Sequence, residues 1–195
     1  MKEVRYNDTM LWATFEDWPK VPNYLLNNLS LFNNNELQYE GKGLRVGLQN
    51  NKYYKNSLYK RWPALPDLES WIRENIPCNF NQIGIQEINP VVKNTKLLVH
   101  CDKEPRRYTI LYILDLGGEN VFTNFYQEHN QPLVRNYGDV TNNLDNLQHI
   151  ASAKFKTHQW VLLNGLIMHD LDPLERPRIA ITGSIWDIKE ISSLA

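Results

Sequence analysis

Between residue 81 and about residue 188 the chain is written almost wholly in short β-type runs: IGIQEINP, TKLLVHCD, RYTILYILD, NVFTNFYQ, QWVLLN, GLIMHDL and RIAITGSIWDI. Each is rich in β-branched or aromatic residues. Turn material such as Leu116–Gly117–Gly118 and Asp172–Pro173 separates them, as expected of successive short strands. No helical period intervenes, so a parallel βαβ sheet of the Rossmann kind is excluded and a sandwich or barrel is expected. The fold class that follows is mostly β with flanking helices.

The helices belong to the first 80 residues, read as a helical and mixed support region. LPDLESWIRENIP carries the clearest helical period: Leu68, Trp71, Ile72 and Ile76 share a face, Asp67 is placed to cap the start, and Pro77 stops it. A shorter helix is expected after Pro22 from the cluster Leu25, Leu26, Leu29 and Leu31, and GKGLRVGLQNNKYY reads as a strand between loops. No stretch concentrates Gly, Ser or Pro enough to mark a linker, and 195 residues suit a single domain, 1–195, with a proper core. Residues 127–158 read as a long polar insertion, and Tyr126, His129, Arg135 and Tyr137 in or near it are candidates to face a substrate.

With 21 basic and 22 acidic residues and a net charge of -1, no Lys/Arg block stands out, so there is no strong nucleic-acid signal. A small-molecule or peptide or protein substrate is the expected partner. The apolar runs are too short to cross a bilayer, and the N-terminal MKEVRYNDTMLWATF is interrupted by acidic and polar residues unlike a secretory leader. Two cysteines, Cys78 and Cys101, do not make a disulfide scaffold. A cytoplasmic setting is the expectation.

LLVHCDKEPRR is the stretch richest in metal-ligating side chains. On a strand, residues i and i+2 project to one side, so His100 and Asp102 point together and Cys101 points away, with Glu104 in the turn that follows. His169, in another short strand, is the best third ligand. Two imidazoles and a carboxylate on one face of a metal form the facial triad of non-haem Fe(II) oxygenases, and the same set could hold zinc with a water. His100 and Asp102 also read as ordinary turn groups. An HD pair such as His169–Asp170 occurs in helical phosphohydrolases, but the β-type flanks and Pro173 argue against a helix here. Arg178, nine residues after His169, opens an apolar strand, where a buried guanidinium requires an anion such as a carboxylate.

The order His100-x-Asp102, then His169, then Arg178 resembles the 2-oxoglutarate/Fe(II)-dependent oxygenase superfamily, in particular its phage and bacterial branches related to prolyl hydroxylases and aspartyl/asparaginyl hydroxylases. The resemblance covers about residues 81–186 and rests on HCDKEPRRYTILYIL and WVLLNGLIMHDLDPLERPRIAITGSI. It implies a double-stranded β-helix (jelly-roll, cupin-like). It implies Fe(II) held by His100, Asp102 and His169, and 2-oxoglutarate anchored by Arg178, with Arg107 (or the adjacent Arg106) and Tyr108 as further cosubstrate contacts. By their residues alone, Tyr108 reads equally as a core aromatic, Arg106 and Arg107 as solvent-facing, and Arg178 as paired with an acidic side chain or leading its strand from the surface. O2 is the other cosubstrate. The implied reaction hydroxylates a C–H bond of an amino-acid side chain, free or in a polypeptide, and releases succinate and CO2. Asn164 is placed either to orient the site or to cap a turn with Gly165. Three other readings stand beside this one: a cupin-like zinc or nickel isomerase or hydrolase, a non-catalytic β-barrel binding module, and an oxygenase-like fold that has lost activity.

Overall fold

The computed structural model describes residues 1–27, 57–90, 99–102, 106–135, 139–141 and 144–191. The chain opens with a hairpin, β1 (Lys2–Tyr6) and β2 (Thr9–Phe15). Its two-residue turn places Asn7 and Asp8 at φ 46° and 62°, the left-handed conformation that a tight hairpin turn demands and that Asn and Asp tolerate best. A one-turn helix, α1 (Asn23–Asn27), follows Pro22 and buries Leu25; the expected Leu29 and Leu31 lie outside the described residues, as does the strand expected at 41–54. Next come β3 (Ser57–Pro63), α2 (Pro66–Asn75) and β4 (Gln82–Pro90).

The α2 helix starts two residues earlier than its sequence suggests. Leu65 is the N-cap, with no side-chain cap bond, and Pro66 is the first helical residue. Proline is pre-organised there and has no N–H to satisfy. Asp67 therefore sits inside the first turn and does not cap it, although its charge still suits the helix dipole. Ile76, before Pro77, is already extended.

The remaining strands are β5 (Val99–Cys101), β6 (Tyr108–Asp115), β7 (Phe122–Glu128), β8 (Asp139–Thr141), β9 (Leu147–Ala153), β10 (Trp160–Asn164), β11 (Met168–Asp172) and β12 (Arg178–Ile185). All seven runs expected as strands form strands. The stretch 127–158, read as an insertion, also contains β8 and β9. β9 escapes a period-2 reading because its sequence, LQHIASA, is only partly buried.

Two antiparallel sheets result. The larger has the order β1-β2-β10-β6-β12-β4-β3, and the smaller β8-β5-β11-β7-β9. From β4 onward the chain passes back and forth between them, so β10-β6-β12-β4 faces β5-β11-β7-β9. This is a mostly β architecture consistent with the double-stranded β-helix or jelly-roll class. Among the described residues no strand is shared between the sheets, and the barrel is not closed.

Alternation along the strands separates two cores. On the outer face of the larger sheet, Ile110, Tyr112, Leu162, Ile181 and Ile185 pack with Leu68 and Ile72 of α2 and with the stacked Phe15–Trp18 pair. Between the sheets, Leu111, Ile113, Val161, Leu163 and Ala180 meet Phe125 and Ala153. Each fully buried aliphatic side chain contributes roughly 1.5–3 kcal/mol.

Candidate functional site

Strand register brings the two candidate histidines together. His169 of β11 lies directly opposite His100 of β5, and their ring centroids are 4.5 Å apart. On its other side His169 is opposite Phe125, whose ring belongs to the inter-sheet core. Both imidazoles therefore face between the sheets. Val99, Cys101 and Met168 alternate with them and form a small cluster on the far face, so Cys101 points away as expected. His169 Nδ1 is 2.7 Å from the Ile167 carbonyl oxygen. A carbonyl can only accept, so Nδ1 is the donor, which in the neutral ring leaves the lone pair on Nε2.

Asp102 follows β5 at the same end of the sheet. Its N–H donates to the Gly165 carbonyl (2.6 Å), and the Gly165 N–H donates to the carbonyl of Arg107 (2.9 Å). A Cβ at Gly165 would lie 2.5 Å from Asp102 Oδ2 and 3.0 Å from Asp102 Cβ. The glycine is thus required by close approach, and it forms the floor under the carboxylate. Oδ1 accepts from Arg106 Nη2 at 2.8 Å, and Oδ2 is 3.4 Å from Thr109 Oγ1. Burial opposes ionisation of Asp102. The Arg106 guanidinium, then His169, His100 and the Thr109 hydroxyl, outweigh it and hold the carboxyl below the ordinary range.

Among the described residues no three His, Cys, Asp or Glu side chains are grouped closely enough to hold a metal ion as they stand. The donor set nevertheless suits one in kind. Two imidazoles share one face, one of them oriented through Nδ1 by a carbonyl, and a carboxylate is seated at their end of the sheet.

Arg178 opens β12 and is 6% exposed. Alternation puts it on the same face as Ala180, which is the inter-sheet face. Thr182, further along that face, and Thr123, two residues from Phe125 on the smaller sheet, each bury a hydroxyl oxygen that has no hydrogen-bond partner among the described residues. The space between the sheets is therefore apolar at one part and lined by unsatisfied polar groups at another, the mixture expected of a ligand site.

Other expected residues fall elsewhere. Tyr108 packs with the outer cluster, on the face of β6 opposite Thr109, Leu111 and Ile113. It cannot share a ligand with Arg178 across the sheet. Burial raises its pKa, Arg107 pulls it down, and Asp187 pushes it up. Arg107 is exposed, and its N–H donates to the Ile185 carbonyl (3.2 Å). The neighbouring Arg106 pairs with Asp102. Asn164 caps the turn: Oδ1 accepts from the Leu166 N–H (3.2 Å), and Nδ2 donates to the Met10 carbonyl (3.0 Å).

Arg135 is buried in an ion pair with Glu128, whose other oxygen accepts from Asn146 (2.7 Å). It locks the segment after β7 and is not presented to a substrate. Tyr126 faces outward and donates to Asp170, His129 is exposed, and Glu104 and Tyr137 lie outside the described residues. Sequence reasoning missed Thr109, Gly165, Thr123 and Thr182. The period-2 partnership of Thr109 with Leu111 and Ile113 was a usable signal for the first, and the Asn164–Gly165 turn between two strands for the second.

The far face of the smaller sheet carries a polar chain. Asp170 accepts from Asn124 Nδ2 (2.8 Å) and Tyr126 Oη (3.0 Å), Ser152 donates to Asn124 Oδ1 (2.7 Å), and His149 Nε2 meets Ser152 Oγ at 2.8 Å. Because the Ser152 hydroxyl proton is committed to Asn124, His149 is the donor to Ser152 and not a base that activates it. Burial raises the pKa of Asp170 against the pull of its two donors.

No family model matches the chain, and no curated protein matches it. Among solved structures it is similar to a Pseudomonas putida prolyl-4-hydroxylase, at 13% identity and a TM-score of 0.45, over 90% of this chain and 92% of that one. Among the described residues no helix is long and apolar enough to cross a membrane.

Proposed function

We propose that the chain is a 2-oxoglutarate- and Fe(II)-dependent dioxygenase on a double-stranded β-helix, hydroxylating a C–H bond of an amino-acid side chain, free or in a polypeptide. The observation that carries this reading is the register of His100 opposite His169 on the inter-sheet face, with Asp102 seated on Gly165 at the same end. His100, Asp102 and His169 would hold the metal. Arg178, buried on the facing sheet, would anchor the distal carboxylate of 2-oxoglutarate as a planar charged donor.

When bound, Fe(II) with 2-oxoglutarate and O2 supplies the oxidising chemistry, giving succinate and CO2 with the hydroxylated product. The protein's own part is placement. The Ile167 carbonyl fixes the tautomer of His169, Gly165 leaves the room that Asp102 needs, and Phe125 with the inter-sheet aliphatic core keeps water from one side of the histidine pair. Thr182 and Thr123 offer hydroxyls to the cosubstrate or substrate.

Anaerobic addition of Fe(II) and 2-oxoglutarate is expected to give a weak visible charge-transfer band that is lost in His169→Ala. In Arg178→Ala, 2-oxoglutarate affinity is expected to fall while Fe(II) binding persists. Absence of the band, with stoichiometric zinc retained instead, would overturn the assignment in favour of a zinc enzyme. Succinate formation above the uncoupled background, screened over amino acids and peptides, then identifies the substrate.

A further inference from the structure

We propose that Arg106 is a resident counter-cation that competes with the metal for Asp102, so that metal loading exchanges one cation for another. This rests on the assignment of Asp102 as a ligand. Asp102 follows β5 at the histidine pair's end of the sheet, and burial makes an uncompensated negative charge there costly. Arg106 compensates it, with Nη2 2.8 Å from Oδ1.

The two partners are unequally placed. The Asp102 side chain is 14% exposed and pinned by its backbone bond to Gly165, whereas the Arg106 side chain is 31% exposed. Asp102 has little freedom to move, because its Oδ2 and Cβ already fill the space over Gly165. Arg106 has a long flexible stem that reaches solvent, so the arginine is the partner that yields.

A like-charged guanidinium near the metal position lowers affinity for the ion, and removing it raises that affinity. It also leaves the metal-free site with an unpaired carboxylate, so the two states respond in opposite directions. A group that merely orders the ligand would move both the same way.

The test uses the full chain stripped of metal and titrated with Mn(II) alone, read by loss of the free-ion EPR signal, alongside the thermal midpoint of the metal-free protein. Arg106→Gln is expected to bind Mn(II) on the order of tenfold more tightly than wild type and to melt about 2–6 °C lower without metal. Arg106→Lys, which keeps the charge, is expected to lie between the two on both measures, and His169→Ala to bind weakly. Wild-type binding that is unchanged or weakened in Arg106→Gln would overturn the exchange. If neither wild type nor Arg106→Gln binds Mn(II), the metal assignment itself fails and the exchange fails with it.

Discussion

At the scale of single residues, the site depends on a hydrogen atom at position 165. Gly165 is not needed for an unusual backbone conformation, since no positive φ is recorded for it. It is needed because Asp102 occupies the volume of a Cβ. Gly165→Ala is expected to push the carboxylate away from the histidines, costing about 1–3 kcal/mol in urea unfolding and weakening divalent-ion binding at least tenfold. A variant that keeps metal affinity would remove Gly165 from the site.

Asp102 also sets part of the acid sensitivity of the metal-free chain. Its folded pKa is lowered, so its stabilisation is present above the unfolded carboxylate value of about 3.9. It is lost as pH falls through the lower folded value. Asp102→Asn is expected to flatten the pH dependence of unfolding free energy in that window.

At the scale of elements, the smaller sheet is tied together on its far face by a polar chain from β11 through β7 to β9. Asp170 is the acceptor at its centre, and it alternates with His169, which faces the other way. Asp170→Ala strands the Asn124 amide and the Tyr126 hydroxyl, at an expected cost of about 2–3 kcal/mol. The pH sign is opposite to that of Asp102. Because the folded pKa of Asp170 is raised, its contribution is fully present below the unfolded carboxylate value and declines as pH rises through the folded one. Asp170→Asn retains one acceptor and is expected to abolish that decline, which equilibrium unfolding between about pH 4 and 7 would reveal. A retained decline would assign it to another group.

At the scale of the whole molecule, the two sheets are coupled by aromatic contact as much as by aliphatic packing. Trp12 of β2 in the larger sheet stacks on Phe125 of β7 in the smaller, with centroids 5.1 Å apart at 15°, and meets Phe155 edge-on at 6.3 Å. Phe125 in turn backs His169 at 6.2 Å. Trp12→Ala is expected to cost about 3–5 kcal/mol and to weaken metal binding from a distance, whereas Ile72→Ala, under α2 on the outer face, is expected to cost about 2–5 kcal/mol with metal affinity unchanged. Equal effects on metal binding would show that the inter-sheet stack does not support the site.

Local chemistry made much of this chain legible. Seven strands, the helix under Leu68 and Ile72 and the outward turn of Cys101 all follow from side-chain period, because period is a property of consecutive residues. What sequence could not assign is which face of a strand looks inward once two sheets are stacked. Tyr108 and Thr109 are neighbours with opposite fates, decided by whether Leu111 and Ile113 or Ile110 and Tyr112 meet the smaller sheet, and both sets are apolar. The pairing of His100 with His169, the seat of Asp102 on Gly165 and the burial of Arg135 against Glu128 join residues distant in the chain, or on opposite sides of a turn. Only strand register and sheet stacking could bring them together.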